Sequence, residues 1–254
     1  MAKSDRFCYF DSGMKVNFLV SMALVVTILL SACMIEQKLI LRHGYSGVWI
    51  LEGRPMPFVG DALEDLAILG GYDNSDEFYD EVISETITNL EAREDIENFE
   101  VGSVGKDAWK AYVEFEDIRL LLGDADLGGI AAISRDGDIH TLSLKFDRAR
   151  AAELERLLPI LKEPTFSLFN PAESEGFSEE EYTSEVLGFT FGEENLSALQ
   201  QSMVQLSITV PGTVVEVEGG TRSGESSALF EVPFTRILVP EGKIAWMVSW
   251  RDQP

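Results

Sequence analysis

Cysteine and histidine are scarce in this chain, at two residues each in 254. Cys8 and Cys33 both lie near its start, so the rest has no disulfide to hold a fold and no thiolate for a zinc site. His43 and His140 are the whole supply of imidazole, which leaves little material for a nucleophile and base of the Ser-His kind. Basic side chains are few as well: 20 Lys and Arg stand against 44 Asp and Glu, a formal net charge of −24. A charge of that sign repels phosphodiester backbones and nearly excludes nucleic-acid binding as a class. No P-loop, dinucleotide fingerprint or CxxC pair occurs. In Gly44-Tyr45-Ser46-Gly47 the second glycine comes one residue too early for a serine-hydrolase elbow, so Ser46 reads as a turn residue. The run from Asp124 through Asp126 begins like a calcium loop, but Gly128 replaces its third oxygen ligand and Arg135 stands where a bidentate Glu belongs. No cofactor, no metal site and no catalytic residue is expected; His140 reads as a half-exposed sheet position.

What is present begins with an apolar run from Phe18 to Leu30, preceded by Lys15. It suits the core of a signal peptide and falls short of the roughly 20 residues that span a bilayer. Leu30-Ser31-Ala32-Cys33, which closes the run, resembles the lipobox of bacterial prolipoproteins. The resemblance implies diacylglycerol on the Cys33 thiol, cleavage before it and acylation, palmitate included, of the new amino terminus. Residues 1–32 are then a signal peptide, with Met14 an alternative start, and residues 33–254 an exported domain or two closely packed lobes. That domain is anchored by lipid to a bacterial cell membrane and faces the periplasm or the outside. An uncleaved membrane helix from Val16 to Ile35 is the alternative.

Residues 1–32 hold three basic and two acidic side chains, so from totals of 20 and 44 the remainder keeps 17 and 42, a formal charge of −25. Such a surface is soluble and self-repelling; it also offers a basic protein partner a place to dock, or fits salty surroundings.

Hydrophobic periodicity organises the rest of the chain. Leu39 to Leu41 and Val48 to Leu51 predict a hairpin around His43 to Gly47. Asp61, with Glu64, predicts a capped short helix with Leu63, Leu66 and Ala67 inward, stopped at Gly70-Gly71. A longer helix starting at Asn74 or Ser75 carries Tyr79, Val82, Ile83, Ile87 and Leu90 on one face. Its other face carries Asp76, Glu77, Asp80, Glu81, Glu85 and Glu91; of these, Asp76, Glu77, Asp80, Glu81 and Glu85 are the candidate partner-binding residues. Strands come next at Phe99 to Val104 and Ala108 to Phe115. Ile130 to Ser134 and Ile139 to Phe146 form a hairpin with Asp136-Gly137 as its two-residue turn. Asp147 caps a helix running through Leu158, and Glu163 to Glu180 reads as a long surface loop. Ser178 and Glu181 make a capping box for a helix that Gly188 can end, and Glu193 to Gln201 adds a further helical turn or two. Val204 to Val210, Val214 to Glu218, Phe230 to Phe234 and Ile244 to Trp250 complete the strands.

Blocks of strands and helices joined by hairpin turns give an α+β fold, a mostly antiparallel sheet with amphipathic helices packed on it. The Val210-Pro211-Gly212-Thr213-Val214-Val215 element, with a glycine turn and a terminal strand after it, resembles the pattern of LppM-type bacterial lipoproteins. The resemblance implies a lipid-anchored envelope protein and transfers no functional residue; the carboxy-terminal membrane span of some such proteins has no counterpart here. Three functions compete. The first is a non-enzymatic binding or scaffold protein of the envelope. The second is a carrier holding an acyl chain or small apolar ligand between sheet and helices. The third is a hydrolase using two carboxylates, for which no pair can be singled out among so many acids.

Overall fold

The computed structural model describes residues 34–54, 56–74, 77, 84, 87–88, 90–91, 93–103, 109–122, 130–151 and 167–252. Eleven strands lie within these residues: β1 Met34–Leu41, β2 Gly47–Gly53, β3 Ile96–Ser103, β4 Trp109–Phe115, β5 Ala131–Asp136, β6 Ile139–Phe146, β7 Met203–Thr209, β8 Gly212–Glu218, β9 Thr221–Arg222, β10 Ser227–Pro233 and β11 Ile244–Asp252. The fold is α+β. Its strands form two sheets where the sequence suggested one: seven strands in the order β3-β4-β2-β1-β7-β10-β9, and four in the order β5-β6-β11-β8. Every pairing is antiparallel except that of β1 with β7, which runs parallel from Met34↔Met203 to Ile40↔Thr209.

Alternation decides which face each strand buries. Along β7, Val204, Leu206 and Ile208 are buried between half-buried polar neighbours. In the small sheet, β6 aligns His140 with Trp250 of β11 and Leu142 with Val248, on the face turned to the large sheet. Pro211 interrupts the path between β7 and β8, and there the chain leaves one sheet for the other. The sheets enclose a core of Leu39, Leu41, Phe115, Leu142, Leu206, Ile208, Phe230, Val248 and Trp250. A second core, reached by the other ends of β7, β10 and β11 through Val204, Val232 and Ile244, is closed by helices and loops that contribute Val59, Phe169, Tyr182, Leu187, Leu199 and Phe234.

Several local expectations are corrected. The first helix spans Pro57–Leu69, so Asp61 lies inside it and Pro57, whose missing N–H costs nothing in a first turn, begins it. It ends at Gly70-Gly71 as expected: Gly71 has φ +95°, and the N–H of Tyr72 donates to the Ala67 carbonyl. The turn between β5 and β6 is Gly137-Asp138, one residue later than expected. Only Gly137, at φ +62°, takes a positive φ there, the type II′ pattern and not type I′. The stretch before Ser178 is no surface loop throughout, since Phe169, Asn170 and Ser174 are buried. Gly188 does not stop its helix: a π-helical turn, Tyr182–Leu187, passes directly into helix Gly188–Phe191, and Gly192, at φ +88°, ends it. Asp147 caps its helix through residue 151, while Leu154, Leu157 and Leu158 lie outside the described residues.

Candidate functional site

Near the open end of the sandwich the turn between β1 and β2 folds over the next-to-last row that β5, β6 and β11 share. That row is made by register: Arg135 of β5 pairs with His140 of β6, which pairs with Trp250 of β11. The turn is one 3-10 turn, His43–Tyr45, in which Gly44 has φ +79° and Tyr45 φ +72°. A tyrosine in the left-handed region is strained, and here the strain delivers its side chain onto the sheet. Gly47 permits the close return, because a Cβ there would run into the Ile40 carbonyl oxygen and the Phe115 ring.

The Tyr45 hydroxyl lies 2.7 Å from Nδ1 of His140, and the two rings meet edge to face at 5.4 Å. On its other side the imidazole stacks on the Trp250 indole, 5.4 Å between centroids. Nε2 of His140 is 3.1 Å from Asp252 Oδ2 but off the line of a hydrogen bond, and this buried nitrogen has no other partner among the described residues. With Nε2 carrying the proton toward the carboxylate, Nδ1 accepts and the Tyr45 hydroxyl donates. The His140 side chain is only 6% exposed, against 42% for Asp252. His140 is therefore a buried residue, and the half-exposed reading from sequence is overturned. The signal for burial lies in the sequence itself, in the alternation that sets His140 on the same face as Leu142, Leu144 and Phe146.

Behind Tyr45, the Arg119 guanidinium sits 4.5 Å over the phenol ring. It also donates to Asp117, holding that carboxyl below the usual carboxylate range. Arg42 donates to Glu114 at 2.6 Å, and Arg251 to Asp138 at 2.7 Å. Between these groups opens a recess of about 110 Å³ lined by Arg42, Gly44, Tyr45, Arg135, His140, Pro211, Trp250 and Asp252.

The sites singled out from sequence are not among these residues. Cys33, Asp76, Asp80, Glu81 and Glu85 fall outside the described residues, as does the run Asp124 to Gly129. Glu77 accepts from the Asp73 N–H at 2.7 Å, and its own N–H donates to Asn74 Oδ1 at 2.9 Å, so it serves the start of the helix that Asn74 caps. Ser46 stands in the turn, its carbonyl accepting from the Arg42 N–H. Among the described residues no group of three or more His, Cys, Asp or Glu is placed to hold a metal ion. Nor is any helix among them long and apolar enough to cross a membrane.

No family model and no curated protein matches the chain. Among solved structures it is similar to the folded domain of the LppM protein of Mycobacterium tuberculosis, determined by NMR. The TM-score is 0.40 at 10% identity, over 88% of this chain and 92% of that one. A likeness of that extent assigns no role to any residue described above.

Proposed function

We propose that the protein is a lipid-anchored component of a bacterial envelope, held by acyl chains on Cys33, which works by binding a partner or small polar ligand. The observation that carries this reading is the placement of the recess. Met34, the residue after Cys33, is already the first residue of β1, and the recess lies at the other end of that strand. Eight residues of strand, at about 3.3 Å each, put the recess roughly 25 Å along the chain from the residue that follows Cys33. Its volume of about 110 Å³ suits one functional group, whereas pockets for whole ligands run to about 300–1,000 Å³. The recess is thus too small for an acyl chain and lends the carrier reading no support.

Two measurements test the proposal. Labelled palmitate is expected on the protein and absent from Cys33→Ala; equal labelling removes the anchor. The purified chain is expected to release no stoichiometric lipid on extraction beyond its own anchor, and a second, non-covalent lipid would establish the carrier instead.

One observation favours a second reading. Tyr45, His140 and Asp252 stand in the order of nucleophile, base and orienting acid. Turnover of an aryl ester that Tyr45→Phe abolishes without lowering Tm would replace binding by hydrolysis.

A further inference from the structure

We infer that the recess receives an oxyanion group, a carboxylate or phosphate borne by a larger ligand; this rests on reading the recess as the binding site. The lining supplies far more donors than acceptors. The Nε of Arg135 donates to the Gly137 carbonyl at 2.9 Å, which sets the plane of the guanidinium, and its two terminal nitrogens have no partner among the described residues. Arg42 gives one terminal nitrogen to Glu114 and is itself part of the recess lining. His140 Nε2 and Trp250 Nε1 are both buried without a hydrogen-bond partner among the described residues. Stacked on each other, the two rings line the same recess.

Buried donors left unmade are costly: Trp250 Nε1 is always one and His140 Nε2 is another when Nδ1 accepts from Tyr45, so with two guanidiniums in the lining the recess suits a group that accepts from several directions at once. Oxyanions do so, and the planar fork of arginine matches them two oxygens at a time. The lining carries two arginines and one carboxylate, Asp252, in a chain whose formal charge is −24, and the Glu114 that pairs with Arg42 is not part of it. Asp252 already lies beside His140 Nε2 and is half exposed, so it marks the position an incoming carboxylate or phosphate oxygen would share or take over. The strained Tyr45 closes the far side, its hydroxyl committed to His140 Nδ1.

The test uses the full chain in detergent micelles. Sodium acetate and sodium phosphate are titrated against sodium chloride at matched ionic strength, with Tm and tryptophan fluorescence as readouts. Chloride controls for screening, which by itself steadies so acidic a chain. At least one oxyanion is expected to raise Tm above the chloride curve and to saturate, with one apparent site. Arg135→Gln, an exposed position, is expected to weaken that site roughly tenfold or more. Arg236→Gln, exposed and outside the recess, leaves it unchanged. A response to acetate alone identifies a carboxylate ligand, and a response to phosphate alone a phosphate. Curves that superpose on chloride, or an unchanged response in Arg135→Gln, overturn the inference. In that event the lipid-extraction result still stands separately for or against the binding reading.

Discussion

The end of the molecule around Trp250 and the end around Phe169 share strands β7, β10 and β11 but are enclosed in different ways. Around Trp250 two sheets close on each other, and each buried side chain is set by register: Leu39 opposite Ile208, Val248 opposite Leu142, Trp250 opposite His140. Around Phe169 the walls are short helices, a π-helical turn and an irregular stretch with Asn170 and Ser174 buried in it. Trp246 packs against both cores and stacks on Phe230 at 5.6 Å. Regular pairing thus leaves room for a polar site at its end. A core closed by irregular segments must instead satisfy its backbone locally, as the Tyr182 hydroxyl does by donating to the Leu168 carbonyl at 2.7 Å.

The largest effect is expected at the junction. Phe230→Ala removes a fully buried ring that supports Trp246, and should cost about 3–5 kcal/mol with loss of protection in both regions. Phe169→Ala removes an equally buried ring from one side only. Hydrogen exchange should then rise around Tyr182 to Leu199 and stay low in β6 and β11; a uniform rise would show that the two regions are one cooperative unit.

Next comes alkali. Burial pushes the Tyr182 phenol up to about 12, from an ordinary 10.0. A raised value means that the folded state keeps the proton longer, so the contribution is complete below pH 10 and lost as pH rises through about 12. The loss amounts to about 2–3 kcal/mol. Urea midpoints at about pH 9 and about pH 12 should therefore differ less in Tyr182→Phe than in the parent. An equal difference would mean that the helical core is already open in alkali.

Gly137→Val should cost about 1–3 kcal/mol, because a β-branched residue resists φ +62°. It should also loosen Arg135, whose Nε bonds the Gly137 carbonyl. An unchanged denaturation midpoint would contradict the turn geometry. Smallest is Ser178→Ala, which removes a side chain accepting from the Glu181 N–H and should cost about 1 kcal/mol, read as a modest fall in Tm.

Much of the fold was legible because its signals are local. The β1–β2 and β5–β6 hairpins, the inward run of Leu142, Leu144 and Phe146, and the Ser178–Glu181 capping box all arise from residues a few positions apart. The irregular core was less legible: Phe169 and Ser174 sit in a stretch with no apolar period, and nothing near Gly188 shows that Leu196 will pack against it and carry the helix onward.

The sequence by itself determined the acidity, the absence of thiols after Cys33, and most of the strands with the faces they bury, because charge and a period of two are properties of neighbouring residues. The short β9 and the helix that begins at Phe234, expected as the end of a strand, were not among them. Tertiary structure alone decided the parallel pairing of β1 with β7, the division into two sheets, and the meeting of Tyr45, His140 and Asp252. Tyr45 and His140 stand 95 positions apart. Alternation says which way each strand faces and is silent on which strand it will find; that choice belongs to whichever set of registers buries all the apolar faces at once, and the recess lies where those registers end.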